Sequence, residues 1–193
     1  EQFYGNEIND FAETVAKTGL WSAESQIMKE TEDIDHMNLD FLTLATNAFI
    51  VEGHSLHIDS ESVVPKNQVS YIMGNPPFVG YSLQSKEQKN DILSIYVDEK
   101  GKPYKTAGKI DYVAGWYFKA AQFMQGTAIR TAFVSTNSIT QGEQVAGVWK
   151  PLYDRFGIHI DFAHRTFIWD SEASVKAHVH CVIVGFSEKT NSE

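Results

Sequence analysis

Val69-Ser70-Tyr71-Ile72-Met73-Gly74-Asn75-Pro76-Pro77-Phe78 is an apolar, β-leaning run that delivers a polar amide into a double-proline turn. Each proline fixes its own φ near about −65° and restricts the residue before it, so the turn is stiff and Asn75 is held extended. Asn75 brings a carbonyl acceptor and an amino donor to the carboxyl end of the strand. Open α/β sheets bind their ligands at that end. Phe78 adds a flat apolar face close by. Together they suit a planar group that carries an exocyclic amine, such as a nucleobase. The competing reading is a strand that ends in an ordinary turn. The preceding strand and the adjacent aromatic weigh against it.

Composition limits the surroundings of this turn. At 193 residues, 42% hydrophobic and 12% aromatic, the chain fits one domain that buries roughly 70% of its unfolded surface. Its lone cysteine, Cys181, sits in an apolar run, so no disulfide framework exists and a reducing, cytoplasmic setting fits. No apolar stretch approaches a membrane span and no basic-then-apolar leader opens the chain, so no membrane partner is expected. The net charge is −9. Proteins that grip a nucleic acid backbone by themselves are usually basic, because Lys and Arg neutralise phosphates. Contact with DNA or RNA must then be local, or be supplied by another module.

Outward from the turn, strands alternate with helices. Residues 1–8 read as a short strand, and Asn9 or Asp10 can cap the helix after it. From residue 11 to about 29, Phe11, Ala12, Val15, Ala16, Leu20, Ala23 and Ile27 fall at helical spacing. The acidic Glu30, Glu32, Asp33 and Asp35 suggest a solvated connection. Residues 48–51 form a second strand, ended by Glu52-Gly53-His54. Residues 80–108 lose periodicity and read as a long mobile excursion, with a short apolar patch at 92–97. Residues 111–124 are helical again, and 131–134 form a strand running into Ser135-Thr136-Asn137-Ser138. Residues 144–156 look helical with an interruption at Pro151. Two last strands, near 158–163 and 177–186, flank a polar loop with Asp170 and Glu172. This alternation implies a largely parallel sheet covered on both faces.

In this order the motifs resemble the adenine-specific DNA methyltransferases that use S-adenosylmethionine. More narrowly, they resemble the methyltransferase region of large single-chain bacterial restriction–modification enzymes of the type IIG/IIL kind. Gly74-Asn75-Pro76-Pro77-Phe78 is similar to the family's catalytic signature. Tyr4-Gly5-Asn6-Glu7-Ile8 before a helix resembles the second-strand motif, whose acidic residue holds the cofactor ribose. Residues 131–138 with Gln141-Gly142-Glu143-Gln144 resemble the strand and loop after the catalytic one, and 162–169 with 179–186 resemble the closing antiparallel strands. The resemblance implies an α/β, Rossmann-like class I methyltransferase sheet, mostly parallel, with an antiparallel strand at the C-terminal end. By match, Asn75 and the Pro76 carbonyl would accept hydrogen bonds from the adenine amine. Pro77 stiffens the turn, and Phe78 would stack on a base flipped out of the duplex. Glu7, with Ile8 beside it, would hold the ribose.

Two departures qualify the match. The family's Phe-x-Gly-x-Gly strand should precede Glu1, and no two of the 13 glycines are two positions apart. The first strand of the sheet is therefore expected to be missing, which leaves the strands ending at Glu7 and Gly74 to pair directly or another copy of the chain, in a homo-oligomer, to fill the gap. At the third strand end, where the family often has Asp against the cofactor adenine, His54 stands here, with Leu56 and Asp59 beyond it; the match leaves open whether His54, Asp59 or neither takes that place. The leading expectation is part of a site-specific DNA methyltransferase that acts on double-stranded DNA, read mostly by regions outside this chain. The alternatives are a protein-glutamine or ribosomal RNA methyltransferase with the same signature, or a fragment that cannot bind cofactor and is non-catalytic. His178 and His180 share a strand face without a third ligand, so no metal site is expected. Ser135, Asn137 and Ser138 line the cleft or form a turn. Trp149 and Trp169 read as packing residues.

Overall fold

Strand β1, Phe3–Glu7, hands the chain to Asn9, whose side-chain oxygen accepts the Phe11 and Ala12 amides at 3.0 and 3.1 Å. That cap opens helix α1, Asp10–Asp35. The computed structural model describes residues 3–35, 48–169 and 179–188. They belong to two compact units, Glu1–Pro65 and Lys66–Glu193. In the first, α1 runs straight through the acidic stretch expected to be a connection. Glu, Lys and Gln are good helix formers, and no Gly or Pro lies between Gly19 and Gly53 to stop it. Strand β2, Ala48–Glu52, pairs in parallel with β1 so that Glu7 lies opposite Glu52. Helix α1 packs back on this pair. A one-turn helix, α2, covers Ser60–Val63.

The second unit holds β3 (Tyr71–Gly74), β4 (Arg130–Thr136), β5 (Ile158–Trp169) and β6 (Val179–Glu188). Their spatial order is β3-β4-β6-β5. β3 runs parallel to β4, while β6 is antiparallel to both β4 and β5. Three strands therefore share one direction, and the last in sequence is inserted against them. This is the expected α/β sheet with one antiparallel strand, and β6 sits between β4 and β5 rather than at the edge. β1 and β2 form a two-stranded sheet of their own in the first unit.

Helices α3 (Lys86–Ile95), α4 (Ala114–Phe123) and α5 (Gly142–Phe156) complete this unit. On β4, Thr131, Phe133 and Ser135 are buried, and they face the same side as their β6 partners Phe186, Val184 and Val182. Tyr117 of α4 covers this face, with ring centroids 5.2 Å from Phe133, 5.4 Å from Phe186 and 5.4 Å from Trp149 of α5. The opposite face carries Ala132, Val134 and Ile183, all half-buried. α4 lies between α3 and α5, so its buried residues run most of the way round rather than along the single side expected.

Two sequence expectations fail here for physical reasons. The 80–108 stretch is not devoid of regular structure. It contains α3, begun by a capping box in which Ser85 and Gln88 satisfy each other's backbone amides, and a β-bridge between Val97 and Pro103. Helix α5 also passes through Pro151 without a break. An internal proline costs roughly 3 kcal/mol. The buried Val148, Trp149, Leu152 and Phe156 each return about 1.5–3 kcal/mol on burial, which outweighs it.

Candidate active site

Gly74, the last residue of β3, is held in register with Phe133 of β4. Beyond it Asn75 is exposed, Pro76 buried, Pro77 exposed and Phe78 half-buried. Asn75 thus carries its amide into the open at the carboxyl end of a strand, on a turn that two prolines stiffen. The far end of the turn is fastened by two consecutive residues. The Val79 carbonyl accepts the Tyr112 amide at 2.9 Å, and the Tyr81 amide donates to Asp111 Oδ1 at 3.0 Å. The Ser138 hydroxyl donates to Asp111 Oδ2 and lies 2.7 Å from Thr136 Oγ1. Asp111 itself is anchored by its amide, which donates to Gln144 Oε1 at 3.0 Å. The neighbouring Tyr112 donates its hydroxyl to Asp91 of α3 at 2.7 Å. Burial, with the hydrogen bond to Asp91 second, raises its phenol well above the ordinary value.

Sequence reasoning misses Asp111. Its signal is a lone carboxylate in Ile110-Asp111-Tyr112-Val113-Ala114, an otherwise apolar entry to a helix. Ser135, expected to line a cleft or form a turn, does neither. It is fully buried and its hydroxyl lies 2.8 Å from that of Tyr117. Asn137 opens a 3₁₀ turn, Asn137–Thr140. Trp149 packs inside, donating its indole N–H to the Ile139 carbonyl at 2.8 Å. The side chain of Trp169, and all of Asp170, Glu172 and His178, lie outside the described residues.

The residues matched to the cofactor motif lie in the first unit, where they gather at the carboxyl ends of β1 and β2. The Gly53 amide donates to the Glu7 carbonyl at 2.8 Å, and the Ser55 hydroxyl donates to Asn6 Oδ1 at 3.2 Å. Glu7 Oε1 accepts the amide of Ile8 at 2.9 Å. Ile8 is exposed, whereas Leu56 is buried. The rings of His54 and His57 stack at 4.5 Å with planes 23° apart, and His54 Nδ1 accepts the Leu56 amide at 3.3 Å. Asp59 caps α2 by accepting the Glu61 amide at 3.1 Å. Glu7, Ile8, His54, Leu56 and Asp59 therefore belong to the first unit, and Asn75 with Pro76, Pro77 and Phe78 to the other.

A cavity of about 570 Å³ lies elsewhere, lined by Lys66, Ser70, Tyr71, Thr127 and Arg130 among others. These residues stand at the amino ends of β3 and β4, opposite to Asn75. Chemistry on an open α/β sheet belongs at the carboxyl ends, so the turn, not the cavity, marks the candidate site. Among the described residues no helix is long and apolar enough to cross a membrane.

The whole chain, residues 1–193, matches the family model described as MmeI, DNA-methyltransferase domain. It is 42% identical over 188 residues to DNA methyltransferase A of Bacillus subtilis (strain 168), a match that covers 96% of this chain and 21% of that protein. Among solved structures it is similar to the type IIL restriction–modification enzyme MmeI in complex with DNA. The TM-score is 0.88 and the identity 44%, over 100% of this chain and 25% of that one. The chain thus spans a quarter or less of the length of these relatives.

Proposed function

The chain belongs to the MmeI DNA-methyltransferase domain family, and from that premise we propose that it is the catalytic part of an S-adenosylmethionine-dependent, adenine-specific DNA methyltransferase within a longer restriction–modification polypeptide. One observation carries the adenine reading. Gly74-Asn75-Pro76-Pro77-Phe78 stands at the carboxyl end of a strand in register with β4, with the Asn75 amide exposed and the turn braced beyond it. An exocyclic amine offers two N–H donors. The Asn75 side-chain carbonyl and the Pro76 backbone carbonyl accept them, which raises electron density on the nitrogen as it becomes a nucleophile. Phe78 stacks on the base, which has to leave the duplex to reach such a turn. No covalent enzyme intermediate is required, and Cys181 is buried.

S-adenosylmethionine, when bound, supplies an electrophilic methyl group on a sulfonium centre. The donor set fits a ribose at Glu7. Among the described residues its Oε1 accepts the next amide in the chain, and Oε2 would accept from the ribose hydroxyls. Ile8 offers an exposed apolar surface beside it. His54, whose ring stacks on that of His57, and Leu56 would lie beside the cofactor adenine. Asp59 is less suited, because its carboxylate caps α2. With the cofactor held by Glu7, Ile8, His54 and Leu56, the amine gripped by Asn75 and the Pro76 carbonyl would take up its methyl in exchange for one amine proton, which would leave to water.

DNA is the favoured substrate over protein glutamine or ribosomal RNA because the similar solved enzyme was captured in complex with DNA. The net charge of −9 assigns most of the phosphate grip to other parts of the polypeptide. A cytoplasmic setting suits such a role. The test is Asn75→Ala in the full-length protein. Methyl transfer to a duplex containing the site should fall by about 100-fold or more, while calorimetric binding of S-adenosylmethionine stays as in the wild type. Activity that survives the substitution removes Asn75 from the mechanism.

A further inference from the structure

One side chain that joins several parts of the candidate site lies outside the Asn-Pro-Pro-Phe turn. Asp111 is 6% exposed, and both of its carboxylate oxygens are used. Oδ1 accepts the Tyr81 amide at 3.0 Å, and Oδ2 accepts the Ser138 hydroxyl. We propose that Asp111 is a positioning residue that sets the Asn75 turn for methyl transfer by tying its far end to the turn after β4. This inference rests on the methyltransferase reading of Asn75.

Donor and acceptor accounting fixes the direction of the network. Ser138 donates its hydroxyl to Asp111 Oδ2. A serine hydroxyl has a single proton, so the contact of 2.7 Å between Thr136 and Ser138 runs with Thr136 as donor. The chain of bonds therefore leads one way, from Thr136 at the end of β4 through Ser138 to Asp111, and the Tyr81 amide enters from the other side. Tyr112 adds its own amide to the Val79 carbonyl at 2.9 Å. The carbonyl before Gly80 and the amide after it are thus held by consecutive residues, while Gly74 is held in register with Phe133. Asn75 is suspended between two fixed points, and each leads back to β4. The anchor is itself steadied by Gln144, which accepts the Asp111 amide at 3.0 Å and donates to the Lys109 carbonyl at 2.7 Å. A catalytic group displaced by about 1 Å loses on the order of 100-fold in rate, so such bracing has a kinetic consequence.

The test uses the full-length protein in single-turnover methyl transfer, with S-adenosylmethionine affinity measured in parallel. Asp111→Ala should slow transfer by about 100-fold and leave cofactor affinity within about twofold, because the turn shifts while Glu7 is untouched. Asp111→Asn keeps an oxygen for the Tyr81 amide, and its NH2 can donate to Ser138 in a reversed network. It should recover transfer to within about 10-fold of wild type. Ser138→Ala should slow transfer by a smaller factor, and the Asp111→Ala/Ser138→Ala double variant should be no slower than Asp111→Ala alone. If Asp111→Asn is as slow as Asp111→Ala, the carboxylate acts through its charge and the positioning role is overturned. If Asp111→Ala does not fold, Ser138→Ala decides: transfer at the wild-type rate overturns the proposal. A wild-type protein that transfers no methyl group to adenine, or an Asn75→Ala variant that remains active, overturns the methyltransferase reading and this inference with it. Loss of activity in Asn75→Ala with none in Asp111→Ala overturns the positioning role alone.

Discussion

Gly53 and Gly19 show opposite faces of one residue type. Gly53 ends β2 with φ at +153°, and a Cβ there would lie 2.4 Å from Ile58 Cδ1. Gly53→Ala is expected to destabilise the protein by about 1–3 kcal/mol, read as a lower denaturant midpoint. Gly19 lies inside α1 with nothing within 4 Å of its missing Cβ. Gly19→Ala should stabilise by about 0.5–1 kcal/mol, through the lower entropy of the unfolded chain. At this scale the sequence is legible where chemistry is compressed into neighbouring residues. Asn75 and Phe78 announce themselves because the prolines between them leave the chain few conformations. Asp111 does not, because its partners Tyr81, Ser138 and Gln144 are brought to it only by the fold. A buried carboxylate and a solvated one look alike in a string of letters.

Elements are read from periodicity, and they are lost where periodicity is short. α3 presents Ile92 as its one buried residue, so no apolar stripe betrays it; its signal is the Ser85…Gln88 capping pair at its start. Ser85→Ala removes the oxygen that accepts the Gln88 amide at 3.2 Å and should cost about 1 kcal/mol. Faster hydrogen exchange confined to the first turn of α3 would accompany it. The acidic end of α1 misleads for the converse reason, since charge suggests solvent but does not oppose a helix. Pro151 reads as an interruption because its local cost is visible in sequence and the burial that outweighs it is not. In β4, Thr131 turns a hydroxyl into the interior, and among the described residues that hydroxyl has no hydrogen-bond partner. Thr131→Val keeps the shape and removes the buried polar atom. It should be neutral or stabilising by about 1 kcal/mol in thermal unfolding.

At the scale of the molecule, alternating apolar runs encode the number and direction of most strands but not their neighbours. That β6 enters between β4 and β5 is settled by pairing, as in Phe133 with Val184, and no local pattern encodes it. The core built on that sheet is rich in buried tyrosine, and this dictates its response to alkali. Tyr96 and Tyr117 are fully buried. Tyr96 donates to the Val148 carbonyl, and the Tyr117 hydroxyl lies against that of Ser135. Burial raises both phenols far above the ordinary 10.0, because the phenolate would lose its hydration. In the folded protein they stay protonated at a pH where the unfolded chain gives those protons up. Their contribution to stability is therefore complete below about pH 10 and falls as pH rises beyond it. In an alkaline titration the phenolate absorbance of these two residues should appear together with the loss of tertiary structure, not before it. Tyr96→Phe should make the decline shallower, since one proton fewer is linked to unfolding. Ionisation of both at the ordinary value in a protein that remains folded would show that the core around α4 is open to water.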